Sequence, residues 1–320
     1  MGGPYCRIMQ GDSISGPEQV EGSFVDSDHV RTHYTRWRPR QERAVVQLAH
    51  GVGEHVGRYE HVAAALAAAG YDVWADDHHG HGRTGVEQHG GDLRRLGTLG
   101  RPGVRGAVRS MHEFTRVIRD AQPDLPLVLL AHSWGSLMAQ IIMNQHAADY
   151  DAVVLTGTAH RTVGHMNGGK LNARYDGPGA TGLEWLSRDP AVARAFLDDP
   201  LTTDKPLLKL FGPLNTIRLL GRPAKDLAGR KDLPILIAVG EQDPLGGGTS
   251  VGFLAADYRT RSGFSSVTTV VYPGARHEIL NETNRDDVLA EIIAWMDKAA
   301  FAKPGQAAAP LPYRPDDGRT

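Results

Sequence analysis

Residues 126–139 read PLVLLAHSWGSLMA. A run of apolar residues ends at Ser133, and a stretch suited to a helix follows at once. A short, near-continuous apolar run is the pattern of a strand buried on both faces, so the hydroxyl sits at a strand's carboxyl end. The same rhythm extends outward in both directions. Ala44–Ala49, Asp72–Ala75, Leu125–Ala131, Val153–Thr156, Pro234–Val239 and Val267–Tyr272 read as strands. Tyr59–Ala69, Gly103–Asp120, Ser136–His146 and Asp286–Ala299 read as helices, the first closed by Gly70. Gly22–Val25 and Val30–Trp37 predict an antiparallel pair joined at Asp26, Ser27 and Asp28. This alternation implies an α/β fold, a mostly parallel central sheet with helices on both faces.

The rhythm breaks over residues 158–230, where Gly-rich loops alternate with short helical pieces (LEWLSR, AVARAFL, LLKLFGPLNTIRLL). An insertion between two strands of one sheet predicts a cap over the carboxyl edge, where open α/β sheets bind ligands. The expected organisation is a core of residues 21–157 and 231–302, a cap of 158–230, and loose tails at 1–20 and 303–320. In the cap, Leu183, Trp185, Leu186, Phe196, Leu197, Leu207, Leu208, Leu210 and Phe211 either line an acyl pocket or pack the cap's own core.

The whole chain sets bounds. Its 320 residues are 41% hydrophobic, enough for one large core with an inserted unit. A formal charge of −2 gives no field suited to nucleic acid or an anionic membrane. The single cysteine, Cys6, excludes an internal disulfide and a cysteine-rich metal site. With no signal peptide or transmembrane run, a soluble, cytoplasmic protein without stable membrane insertion is expected. His78, His79 and His81 lack a partner cluster for a metal and read as a loop packed beneath the site. Glycines 246–248 are not followed by Gly-Lys-Ser/Thr, which argues against a nucleotide. No cofactor or metal is expected.

Ser133 is either an ordinary helix N-cap or a nucleophile. Ala131-His132-Ser133-Trp134-Gly135 approximates G-x-S-x-G, a tight strand-to-helix turn flanked by small residues. A nucleophilic serine needs a base, and the base an orienting acid, in the chain order Ser, acid, His. Asp243 follows the strand at 234–239, and His277 follows the strand at 267–272. A parallel sheet brings both to the edge that holds Ser133. Glu241 is the competing acid. Oxyanion donors are expected from the Trp134 N–H and from the loop after 44–49, where His50-Gly51-Val52-Gly53 offers the Val52 N–H.

These residues carry a resemblance. HGVGEHVGRY (50–59), DDHHGHGRT (76–84), AHSWGS (131–136), GEQDPLG (240–246) and ARHEILNE (275–282) are similar to the α/β-hydrolases of the monoacylglycerol lipase and lysophospholipase group, which is also grouped with serine aminopeptidases. The likeness spans about residues 22–300. It implies a cofactor-free serine hydrolase acting on a small-molecule ester, with a mobile cap forming an acyl tunnel. By position, Ser133 looks like the nucleophile, Asp243 the acid, His277 the base, and Val52 and Trp134 the oxyanion donors, with His55 and Arg58 structural. Three positions depart from the group: His79 stands for its Arg, Thr84 for its Ser and Trp134 for its Met. An indole next to the serine would narrow the acyl pocket. The same triad also serves amide or aminopeptidase chemistry, with Glu184 or Asp198 to hold an amine, and C–C hydrolysis or perhydrolysis. The fold can also act as a ligand receptor with vestigial catalysis.

Overall fold

The computed structural model describes residues 16–301. The tail at 303–320, residues 1–15 and with them Cys6 lie outside the described residues. Eight strands form one sheet: β1 Glu18–Val25, β2 Arg31–Arg38, β3 Ala44–Ala49, β4 Tyr71–Asp76, β5 Leu127–His132, β6 Ala152–Thr156, β7 Ile235–Gly240 and β8 Val267–Tyr272. Their order is β1-β2-β4-β3-β5-β6-β7-β8. Only β1 with β2 and β2 with β4 are antiparallel. The first strand starts at Glu18, so the expected N-terminal tail is too long: residues 18–20 pair with Arg38, Trp37 and Arg36.

The helices are α1 Glu60–Ala68, α2 Gly82–Gln88, α3 Gly103–Ala121, α4 Ser133–His146, α5 Pro190–Asp198, α6 Leu207–Arg218, α7 Gly247–Thr260 and α8 Arg285–Ala300. Alternate residues of each central strand point to opposite faces. Val45, Leu127, Leu129, Val153 and Ile235 join the core under α3, α4 and α7. Val46, Val128, Leu130, Val154 and Leu236 join the core under α1 and α8. With both faces covered, β3 to β7 are buried throughout, which is why they read as near-continuous apolar runs, broken inside only by Gln47 in β3 and Asp72 in β4.

Between β6 and β7 the chain runs outside the sheet over residues 157–234. Two of the three short helical pieces expected there form, as α5 and α6; α6 is broken at Gly212, whose φ is 72°, before Pro213. The third, LEWLSR, is not a helix. Its carbonyls turn instead to the loop after β8, as described below. Among the described residues no helix is long and apolar enough to cross a membrane.

Candidate active site

The site is assembled at the carboxyl ends of β3, β5, β7 and β8. Between β5 and α4 the chain turns sharply at Ser133, which has φ 51°, a left-handed conformation rare in a non-glycine residue. The turn leaves no room for a side chain at position 135. A Cβ on Gly135 would lie 2.5 Å from the His50 carbonyl oxygen and 2.6 Å from that of Ala49. The turn lifts the Ser133 hydroxyl off the strand end, with the side chain still mostly buried.

Ser133 Oγ lies 2.8 Å from His277 Nε2, and His277 Nδ1 lies 2.9 Å from Asp243 Oδ1. The structure thus brings together the three side chains singled out in the sequence. Asp243 Oδ1 also accepts the Leu245 N–H, which holds the carboxylate in place. Glu241, the competing acid, is exposed and instead accepts the Gly274 N–H. Burial works to lower the pKa of His277. Asp243, with smaller contributions from Glu278 and Glu54, outweighs burial and raises it above the ordinary value. The neighbouring ring of His132, 5.0 Å from that of His277, is pushed down to about 3 by burial and stays neutral.

The loop that follows β3 carries Val52, the second expected oxyanion donor. His50 Nε2 accepts the His78 N–H, so Nδ1 carries the proton and donates to the Gly51 carbonyl. Burial, and then His78 and His81, hold the His50 imidazole well below its ordinary pKa. Among the described residues the Val52 N–H has no protein acceptor. The Trp134 N–H lies in the first turn of α4, where N–H groups have no intrahelical partner.

A buried ionic network ties this loop to the histidine loop. Glu54 accepts from the Gly51 N–H at 2.6 Å and from Tyr59 Oη at 2.7 Å, and it pairs with Arg58. Arg58 also grips Glu278, next to His277, through two bonds of 2.8 Å. Burial and the nearby Glu278 keep the Glu54 pKa raised despite Arg58. Glu278 goes the other way: burial would raise it, but Arg58 brings it down to about 2. Arg58 was expected to be structural. The parts of Glu54 and Glu278 were missed, although both glutamates stand inside the quoted HGVGEH and ARHEILNE runs.

Beneath the site, the His50 and His78 rings stack at 4.1 Å, and the His81 ring lies 5.1 Å from Trp134. His78 bonds Asp76, and His79, in place of the group's Arg, bonds Asp26 of the β1–β2 turn. The DDHHGHG loop therefore packs beneath the Ser133 turn. Trp134 is fully buried, and its ring is 5.0 Å from that of Phe211 in α6.

Residues 157–234 reach the site from above. The Trp185 and Leu186 carbonyls accept the N–H groups of His277 (3.3 Å) and Glu278 (2.7 Å), and the Trp185 ring lies 4.8 Å from that of His277. Arg276 donates to the Glu184 and Ser187 carbonyls. On the opposite side, the Thr203 N–H donates to the Gly53 carbonyl at 2.8 Å, and His55 bonds Asp199. Of the candidate acyl-lining residues, Leu183, Leu186 and Phe196 pack together in a small core with Trp185 beside them. Leu210 and Phe211 join the main core, with Leu207 packed against it, while Leu197 and Leu208 are exposed. Glu184, considered for holding an amine, is consumed by Thr181, Gly182 and Asn172; Asp198 is exposed.

Comparison with known proteins points the same way. The family model described as serine aminopeptidase, S33, matches residues 40–284. A monoacylglycerol lipase of Mycolicibacterium smegmatis is 32% identical over 86% of this chain and 96% of its own length. A thermostable carboxyl esterase from Bacillus coagulans, solved with glycerol, superposes with a TM-score of 0.76 at 26% identity, covering 88% of this chain and 99% of that one. The fold is shared with a soluble variant of the monoglyceride lipase of Saccharomyces cerevisiae, at a TM-score of 0.67 and 21% identity over 90% of this chain and 96% of that one.

Proposed function

The chain belongs to the serine aminopeptidase S33 family and is an α/β-hydrolase of the monoacylglycerol lipase and lysophospholipase group; from that premise we propose that it cleaves carboxylic esters through an acyl-enzyme on Ser133. The observation that carries this reading is the hydrogen-bonded line from Ser133 Oγ through His277 to Asp243, starting at a serine held at φ 51°. His277 Nε2 takes the Ser133 proton as Oγ attacks the ester carbonyl. Asp243 fixes the imidazole with its proton on Nδ1 and stabilises the imidazolium. The Val52 and Trp134 N–H groups receive the oxyanion. His277 then protonates the departing alkoxide, and in the second half-reaction activates the water that releases the acid.

Residues 158–230 act as the cap over this centre, supported by the contacts of Trp185, Leu186 and Thr203 with the loops that carry His277 and Gly53. We take the preferred acyl groups to be of small or medium length, a reading supported by the buried Trp134 indole next to Ser133, whose ring meets that of Phe211.

The test is hydrolysis of p-nitrophenyl esters of graded chain length by the wild type and by Ser133→Ala. The expected result is a loss of roughly a million-fold in turnover in the variant. Undiminished turnover in Ser133→Ala would remove the acyl-enzyme reading. No wild-type turnover at any length would remove the ester reading.

A further inference from the structure

At the end of α4 remote from Ser133, two imidazoles and a carboxylate converge. His146 is the last residue of α4, Asp149 lies in the short turn after it, and His112 projects from α3. The His112 and His146 rings stack with centroids 3.7 Å apart and planes 20° apart. Both meet the same carboxylate oxygen: Asp149 Oδ2 is 2.7 Å from His112 Nε2 and 3.9 Å from His146 Nδ1. One ligand atom from each residue falls within a span of 4.8 Å. We propose that His112, His146 and Asp149 form a binding site for a divalent transition metal of the zinc type, which clamps α3 to the end of α4.

The donor set selects the ion. Two imidazoles and one carboxylate suit Zn²⁺, Co²⁺, Ni²⁺ or Cu²⁺, whereas Mg²⁺ and Ca²⁺ take oxygen ligands. Tetrahedral bonds of about 2.1 Å put ligand atoms roughly 3.4 Å apart. The His112–Asp149 contact therefore has to open slightly, the longest edge to close by roughly 1.4 Å, and the His146 ring to turn out of its stack on His112 so that both in-plane nitrogen lone pairs face the ion. Side chains 41% and 42% exposed, as those of His146 and Asp149 are, have room for that rotation. His112 and Asp149 border an open hollow that they share with Arg116, Arg119 and Asp120, through which water can reach the ion. Arg119 is already committed to the Asp149 carbonyl and to Asp151, so it fixes the Asp149 backbone and does not take the carboxylate. Arg116 opposes a cation there, and Asp120 offsets it.

The site lies about 20 Å from Ser133 along α4, at 1.5 Å per residue. It acts on stability and leaves the chemistry alone. The experiment is a Co²⁺ titration of the full chain followed by visible absorption, with thermal unfolding in Zn²⁺ alongside. Expected are ligand-field bands of tetrahedral Co²⁺ saturating at one equivalent. The melting temperature should rise by about 4 °C at a hundredfold excess of Zn²⁺ over Kd. Both signals should be lost in His146→Ala and in Asp149→Asn, whose metal-free far-UV spectra match the wild type, with ester turnover in His146→Ala unchanged. Absence of the bands overturns the proposal. So do bands or a thermal shift that persist in both variants, since the ion would then sit on other histidines.

Discussion

At the scale of single residues, the His277 imidazole sets how the enzyme depends on pH. In the proposed mechanism it must be neutral to accept the Ser133 proton. Its pKa is raised because Asp243 outweighs burial, so the acid limb of kcat/KM should have its midpoint above the ordinary histidine value of 6.5. Asp243→Asn removes the charge and leaves the burial, which lowers the pKa of an imidazole. The limb should then move to lower pH, below 6.5, while the plateau rate falls by about a thousand- to ten-thousand-fold because the tautomer is no longer enforced. A pH–rate profile of both proteins checks this. A limb that stays in place would mean that Asp243 does not set the charge state of His277.

At the scale of elements, the question is what keeps separate loops in register. The loop after β3 and the loop after β8 share no backbone hydrogen bond among the described residues. Arg58 joins them by pairing with Glu54 and Glu278 together. Removing it strands two buried carboxylates, and breaking a buried pair in this way costs about 3–5 kcal/mol. Arg58→Met should therefore lower stability by that amount in urea unfolding at neutral pH. The penalty should shrink as the pH falls. Glu278 has a pKa brought down to about 2, so its contribution is fully present above the ordinary 4.5 and is lost as the pH drops towards 2. Glu54, with its pKa raised, has the opposite sign and softens the effect without reversing it, because Arg58 meets Glu278 in a two-bond fork. A penalty independent of pH would point to lost packing against Phe196, over whose ring the Arg58 guanidinium lies at 4.8 Å.

At the scale of the molecule, legibility follows from how local each cause is. β3 and β8 fall on the residues expected, because a short apolar or β-branched run bounded by polar residues states its own ends. Ser133, Asp243 and His277 were legible because each stands just beyond such a strand. α7 was not, since it opens on Gly247-Gly248, poor helix formers, and is held by burying Val251, Leu254 and Tyr258. LEWLSR has a helical composition, yet its carbonyls are taken by the His277 loop some 90 residues away, and no local pattern encodes that partner. The His112, His146 and Asp149 cluster was hidden for the same reason: adjacent helices, not spacing, bring it together. This non-local character predicts how the protein unfolds. Leu183, Leu186, Ala193 and Phe196 form a core too small to stand alone. Leu210, Phe211, Leu219 and Leu227, from the same insertion, belong to the core under α3 and α4. The insertion is thus held by the sheet and its helices, by backbone bonds to two site loops and by the bond from Arg161 to the Gln140 side chain of α4. Scanning calorimetry should show a single transition whose calorimetric and van't Hoff enthalpies agree. Loss of ester hydrolysis should coincide with it, because the insertion cannot leave without releasing the loops that carry His277 and Gly53. An early, separate transition that spared the far-UV signal of the sheet would instead make the insertion an independent unit and those contacts incidental.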